Sequence, residues 1–386
     1  QYQAPLLRRI NQEPDIDLTT LFCSDLSAKE YRDTEFGASF KWDVPLLEGY
    51  KYKFLPAFVS TQQLSFWKPF NYGITRALKK GRFDALWVHG WGYWSHIWAI
   101  LIAKMLRIKV LIRGESSLHT QQYGTLKRTA KEMFIRRIIA LSDAFLSIGS
   151  LNREFYIHYG AKHDAVCMVP YVVDNDFFQE RCRAASAERE SLRCSLGLKQ
   201  GRPVILYASK MTERKRAGNL LEAYARLSPD GHTEPEPYLL FIGDGEMRSA
   251  LERRAVEFGW GSIRFFGFKN QTELPAYYDL CDIFVLPSFH EPWGLVINEV
   301  MNAAKPVIVS DQVGCAPDLV SHKENGYIFR AGDIDDLYRA LRFVLDEKEQ
   351  CRAMGQKSLE VINRWGLEED VAGLRKALKM LFGDCQ

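Results

Sequence analysis

The chain has no apolar run long enough to span a bilayer. Its most apolar stretch, Ile97 to Ile112, is interrupted by Lys104, Arg107 and Lys109. The eight cysteines are scattered, with no Cys-x-x-Cys and no metal-ligand spacing to a histidine. That leaves reduced thiols in a cytosolic protein as the reading. No secretory leader is visible in these residues, which begin at Gln1 without Met, and a low-complexity segment and a short-period repeat are missing. So is any nucleic-acid recognition motif, and with a formal charge of only +3 this argues against a nucleic-acid binder.

What is present is an ordinary globular composition, 47% hydrophobic and 26% charged, over 386 residues. That length suggests two to three domains, each able to bury a core. The charge is uneven. Residues 1–170 carry 23 Lys and Arg against 15 Asp and Glu, and the remainder is acidic. A basic front half and an acidic back half point to two domains with different partners.

Short β-branched or aromatic runs alternate with amphipathic helices, which argues for parallel sheets covered by helices. In the front half, strands are expected at Asp17–Cys23, Ala85–His89, Lys109–Ile112 and Ala144–Ile148. Helices are expected at Tyr93–Arg107 and Leu126–Leu141. Trp42 to Phe70 is aromatic-rich without a clean period and reads as a long loop. In the back half, strands are expected at Val204–Ala208, Tyr238–Ile242, Ser262–Phe265, Ile283–Leu286, Val307–Val309 and Tyr327–Phe329. The pattern changes near Pro170–Glu190. The expectation is therefore an α/β chain of two doubly wound, Rossmann-like domains, 1–172 and 173–364, facing a central cleft. A last helix within 365–386 is expected to pack back toward the first domain. Ligands of such sheets sit outside the carboxyl ends of the strands.

The most informative stretch is Leu286-Pro-Ser-Phe-His-Glu291-Pro-Trp-Gly294-Leu-Val-Ile-Asn-Glu299. Glu291 falls in a strand-to-helix loop, and Glu299 falls on the first turns of the helix. Gly294 sits where the backbone turns into that helix. Free amides there favour an anion, and a glycine admits a phosphate close to the backbone. Two carboxylates flanking such a site suit the hydroxyls of a polyol; ordinary capping acids are the plainer alternative. A second patch, Ser209-Lys210-Met-Thr-Glu-Arg-Lys215-Arg, leaves the carboxyl end of the Val204–Ala208 strand. Two lysines there can neutralise a diphosphate and stabilise a leaving group gaining negative charge. Gly243-Asp-Gly245 lacks the third glycine of the dinucleotide fingerprint and reads first as a tight turn. Gly267-Phe268-Lys269 ends another strand, where backbone groups can meet a base edge or simply turn.

Together these residues resemble a GT-B-fold glycosyltransferase of the large retaining family four, the glycosyl transferases group 1. The likeness is strongest from about Val166 to Phe329. It rests on the Glu-x7-Glu pair Glu291 and Glu299, on Glu291-Pro292-Trp293-Gly294, on Gly243-Asp244-Gly245 and on Ala303-Ala304-Lys305-Pro306-Val307-Ile308. The resemblance implies that Glu291 contacts the donor sugar and Glu299 the ribose. It implies that Lys210 and Lys215 grip the diphosphate, with the amides at Gly294, Leu295 and Val296. Trp293, Phe268, Lys269 and Gly243 complete the donor side. The donor implied is a nucleotide-diphosphate sugar, a uridine-diphosphate sugar being favoured, with no cofactor. Transfer is implied to retain configuration, by attack from the leaving-group face. With no Asp-x-Asp in a matching context, it is expected to need no metal. The family more often has Arg where Lys210 stands, and Lys keeps the charge without the bidentate fork.

On the acceptor side the resemblance points to His89, Trp91, Arg113, Glu115 and His119. His119 is slightly late for the family's histidine and reads equally as a surface residue. The acceptor implied is a glycan or lipid-linked sugar in cell-surface polysaccharide or glycolipid synthesis. A basic helix bearing Lys127, Arg128, Lys131, Arg136 and Arg137 is expected either to be solvated or to touch anionic lipid at the inner face of a membrane. The opening Gln1-Tyr-Gln-Ala-Pro-Leu-Leu-Arg-Arg resembles the segment after the family's first strand, so that strand is expected to lie outside the sequence. Two other readings stay open: an epimerase or hydrolase of sugar nucleotides on the same fold, and a non-catalytic sugar-nucleotide-binding protein.

Overall fold

The computed structural model describes residues 1–33, 38–58, 64–118, 125–227, 236–257 and 261–383. It divides into two compact units. One comprises residues 1–31, 45–171 and 367–386, and the other comprises 32–44 and 172–366.

The second unit is built on six parallel strands. Across the sheet they run Ile263–Phe265, Tyr238–Ile242, Val204–Ala208, Ile283–Leu286, Val307–Ser310 and Gly326–Phe329. In chain order that is third, second, first, fourth, fifth, sixth, the doubly wound arrangement. Its order reverses between the first and fourth strands, where such sheets open a ligand crevice. The central strands VILYA, YLLFI and IFVL are apolar throughout and buried at every residue, as strands covered by helices on both faces must be. Tyr207, Phe241, Val285 and Ile308 pack against Leu220, Leu221 and Leu341 of the covering helices. Each such side chain contributes about 1.5–3 kcal/mol by leaving water.

The first unit carries four parallel strands in chain order, Ala85–His89, Lys109–Arg113, Ala144–Ser147 and Val166–Met168. Thr19–Phe22 and Lys51–Phe54 pair in a separate two-stranded parallel sheet. In the second unit the first strand joins both halves of the sheet; among the described residues of the first unit no strand plays that part. The helix Leu367–Phe382 belongs to this unit. Its Val371, Leu374 and Ala377 pack with Leu6 and Ile10 of the helix Gln3–Ile10 and with Leu111, Leu146 and Val169.

The two units repeat one local device. Asp143 and Asp282 each precede a buried strand, and each accepts from an amide at the start of the neighbouring strand, at 2.8 Å from Val110, its second residue, and from Val204, its first. The aspartate thus satisfies a backbone donor at the sheet's amino end, which would be costly to leave unpaired.

Two expectations are corrected. The loop expected over Trp42–Phe70 contains the strand Lys51–Phe54. All four of its residues are exposed; it is held by pairing with Thr19–Phe22, by the Lys51–Asp17 ion pair and by Tyr52 and Phe54 lying 6.1 and 5.4 Å from Phe22. Residues 32–44, assigned by chain position to the first domain, group with the second unit. There Phe40 stacks on Phe268 with ring centroids 4.3 Å apart, and Asn270 donates to the Lys41 carbonyl at 2.7 Å.

Candidate functional site

At the switch point of the second unit, two loops leave adjacent strands. Residues 209–216 follow Ala208, and residues 287–294 follow Leu286. They are tied to each other. The Phe289 amide donates to the Arg214 carbonyl at 2.9 Å, Arg214 Nη1 donates to the His290 carbonyl at 3.3 Å, and the Arg216 guanidinium lies 5.3 Å over the Phe289 ring. On this frame Lys215 Nζ pairs with Glu291 Oε2, both side chains 11% exposed. Ser288 Oγ donates to the same oxygen at 3.4 Å. A nearly buried ion pair is held by geometry, because desolvation cancels much of its attraction. Such a pair is a poor stabiliser and a good way to aim an ammonium. Nearby His290 contributes no second cation at neutral pH, because burial first and Arg214 next lower its pKa.

Gly243 closes the floor. At φ +124° it lies against the Ser209–Met211 backbone, and a Cβ there would meet the Ser209 carbonyl at 2.1 Å. The Met211 amide donates to the Asp244 carbonyl at 2.8 Å, and the Gly243 amide donates to the Gly267 carbonyl at 2.7 Å. The Gly-Asp-Gly turn therefore positions the Lys210 loop. Gly243→Ala is expected to cost about 1–3 kcal/mol through backbone strain alone. It should also shift the Ser209–Met211 loop, so that chemical denaturation and anion titration both report weakening. Gly294, at φ +96°, caps the helix Leu295–Met301, and Leu295 and Val296 follow, half exposed.

Glu299 lies on that helix, 2% exposed, and accepts from Tyr278 OH at 2.5 Å. Tyr278, on the helix Leu274–Leu280, carried no signal in the sequence, since nothing local marks a tyrosine reaching across to another helix. Three sequence candidates turn out to be engaged in packing or pairing. Trp293 is buried, stacks on Trp365 at 5.7 Å and donates Nε1–H to Asn298 at 3.0 Å. Phe268 stacks on Phe40, and Lys269 pairs with Glu273 at 3.0 Å. The Trp293 ring thus packs within the core of the second unit.

In the first unit, a cavity of about 290 Å³ opens at the carboxyl ends of three strands, lined by His89, Trp91, Arg113, Glu115 and Tyr171 among others. His89 is open to it and stacks on Trp87 at 5.2 Å. Surrounding protein first, and the Arg113 charge second, lower the His89 pKa from its usual value, so a neutral imidazole faces the cavity at physiological pH. Trp91 stacks on Phe155 at 6.2 Å. The exposed Glu115 accepts from Tyr171 OH at 2.9 Å.

Arg113, which lines this cavity, also has a structural role. It is 3% exposed and lies between the Trp87 and Tyr171 rings, 5.5 and 5.4 Å from their centroids. Its Nη2 donates to Asp370 at 2.8 Å and to the Pro170 carbonyl at 2.8 Å. It fastens the last helix to the strand ends. His119 lies outside the described residues, and so does the Lys127 side chain. Arg128 pairs with Glu132 at 2.9 Å, and Arg136 lies 5.7 Å over Tyr159. Among the described residues no group of three His, Cys, Asp or Glu is arranged to hold a metal ion.

The doubly wound sheet and the Lys215–Glu291 pair both lie within one stretch of the chain that has known relatives. Residues 188–361 match the family model described as Glycosyl transferases group 1. The chain is 32% identical over 190 residues to 2-deoxystreptamine glucosyltransferase of Streptomyces kanamyceticus, covering 49% of this chain and 47% of that one. It is 26% identical over 278 residues to GDP-mannose-dependent alpha-(1-6)-phosphatidylinositol monomannoside mannosyltransferase of Mycobacterium tuberculosis, covering 69% of each. It spans about half or less of the length of the first curated relatives it matches. Among solved structures, Anabaena Alr3699/HepE in complex with UDP and glucose aligns at a TM-score of 0.66, 15% identity, over 86% of this chain and 87% of that one. At that identity the likeness establishes the GT-B fold alone.

Proposed function

We propose that the protein is a retaining glycosyltransferase that moves a sugar from a nucleotide-diphosphate sugar to an acceptor hydroxyl in glycolipid or polysaccharide synthesis. The observation that carries this reading is the Lys215–Glu291 pair at the switch point of a group 1 domain.

In this reading the diphosphate lies beside Lys210 and Lys215, near the amides at Gly294, Leu295 and Val296. As the glycosidic C–O bond breaks, the sugar gains oxocarbenium character and the β-phosphate gains charge. Lysines already aimed at that phosphate stabilise it without reorganising. Glu291 orients Lys215 and meets the hydroxyls of the donor sugar. Glu299, steadied by Tyr278, meets the ribose. The acceptor hydroxyl attacks from the leaving-group face, its proton passing to the departing phosphate, and the chain's own cations meet that charge without a metal ion. The cavity beside the neutral His89 takes the acceptor, with the indole of Trp91 as a stacking surface. A lipid-linked acceptor would bring the protein to the inner face of a membrane, where Arg128, Lys131, Arg136 and Arg137 offer one contact; Lys127, whose side chain the structure leaves undescribed, comes from the sequence reading.

A thermal-shift panel of uridine-, guanosine- and adenosine-diphosphate sugars tests this. One relative is named for GDP-mannose and one structure holds UDP, so the panel also selects the base. A donor at a hundredfold over its Kd adds about 2.7 kcal/mol, which is several degrees in melting temperature. Stabilisation by none of the three would overturn the reading.

A further inference from the structure

Residues 51–82 hold seven Lys and Arg and not one Asp or Glu in 32 consecutive positions. The same segment holds seven aromatic residues, and all seven are exposed. Large aromatics normally bury most of their surface, so a run of exposed ones marks a surface built for contact. Phe58 is 71% exposed and Trp67 60%.

The rings form three neighbouring groups. Tyr52 and Phe54 lie edge to face at 5.7 Å on the exposed strand. Phe58 meets Phe70 at 5.7 Å and Tyr72 at 4.7 Å. Phe66 meets Trp67 at 4.9 Å, and Trp67 meets Trp94 at 5.2 Å. Each group is within four residues of the next along the chain, a reach of at most about 14 Å.

The segment is fastened from beneath. Buried Asn71 donates Nδ2–H to the carbonyls of Cys23 at 2.9 Å and Leu55 at 3.2 Å. Buried Ser95 donates to the Pro69 carbonyl at 2.8 Å, and its Oγ accepts from the Asn71 amide at 3.2 Å. The aromatics are thus presented by an anchored backbone.

We infer that the face formed by residues 51–58 and 64–72, with the cations of Lys79, Lys80 and Arg82 following it, docks the protein onto an anionic lipid bilayer. Aromatic rings with one wet edge settle at the headgroup level, and lysines laid along them reach the lipid phosphates. A segment without a single acid complements an anionic surface throughout its length. A protein partner's surface carries both signs and would leave part of this charge unmatched. No helix among the described residues is long and apolar enough to cross a membrane, so contact here is with the surface.

The test is co-sedimentation of the full chain with vesicles of phosphatidylcholine alone or with 30% phosphatidylglycerol, at low and high salt; it needs no donor or acceptor and is independent of the proposed activity. Binding is expected only with the anionic vesicles, with at least a tenfold loss at high salt. F58S/W67S and K53E/K68E should each lose at least tenfold in partitioning with an unchanged melting temperature. A blue shift of tryptophan emission on vesicle binding, reduced in W67F at lipid concentrations where W67F is still bound, places Trp67 at the interface. No binding, equal binding to both vesicles, or undiminished binding by both variants would overturn the proposal. So would a wild-type dimer that F58S/W67S dissociates and that ignores vesicles, since the face would then be a contact between copies.

Discussion

Replacing Lys215 with alanine is expected to lower sugar transfer by about 10²–10³-fold, the usual loss when one preorganised donor to a developing anion is removed. The ammonium stands at the switch point, 9% exposed, and its aim is set by Glu291. Alanine takes away the charge and leaves the Glu291 carboxylate nearly buried and unpaired. Some stability is therefore lost as well, and turnover must be compared per folded molecule. Glu291→Gln removes the countercharge while keeping the shape. It should also cut turnover, through a lysine whose direction is no longer fixed and a sugar hydroxyl that has lost a strong acceptor. A purely structural pair would behave otherwise: both variants would melt earlier, and the folded fraction would turn over normally.

The second large effect concerns Arg113. The Arg113→Met variant is expected to lose about 3–5 kcal/mol of stability in chemical denaturation at pH 7.5, because it leaves Asp370 buried without its cation. Asp370 is fully buried and 257 residues from Arg113 in the chain. Burial raises its pKa from 3.8 to about 6, with Arg113 opposing the rise. An acid whose folded pKa is raised binds its proton more tightly in the folded state. Its contribution to stability therefore falls as pH rises between the unfolded and folded pKa values, from about 4 to about 6 here, and is level above that. Without Arg113 the folded pKa climbs further, so the fall continues above pH 6 in the variant alone. The deficit should be smaller at pH 5 than at pH 7.5. Equal deficits at the two pH values would show that lost packing between Trp87 and Tyr171, rather than charge, is what Arg113 supplies.

The second unit was largely legible because its strands are apolar at every position. Val204–Ala208 and Ile283–Leu286 could be recognised from composition, and the loops leaving their carboxyl ends followed from the parallel arrangement. That the two strands are neighbours, which brings Lys215 to Glu291, follows only from the sheet order. Lys51–Phe54 was not legible because it is only four residues long and its alternation is lost in a stretch of aromatics without a clean period. Arg113 looked like a site residue because it ends a strand, and only the tertiary fold brings Asp370 to it. Trp293 sits within the most suggestive motif, yet its stacking on Trp365 depends on a contact 72 residues away. Residues 32–44 group with the second unit although they precede most of the first, which no composition shift marks. Exposure was the other hidden quantity. The aromatics of residues 51–72 read as an unpatterned loop until the structure showed their rings outside.

The central claim is that a nucleotide diphosphate binds at the Lys215–Glu291 pair. Calorimetric titration of the nucleoside diphosphate chosen by the thermal-shift panel, into the wild type and into Lys215→Ala, tests it most directly. The account predicts saturable binding to the wild type and a Kd at least tenfold weaker in the variant, a change of about 1.4 kcal/mol. Equal affinity for the two proteins would contradict it.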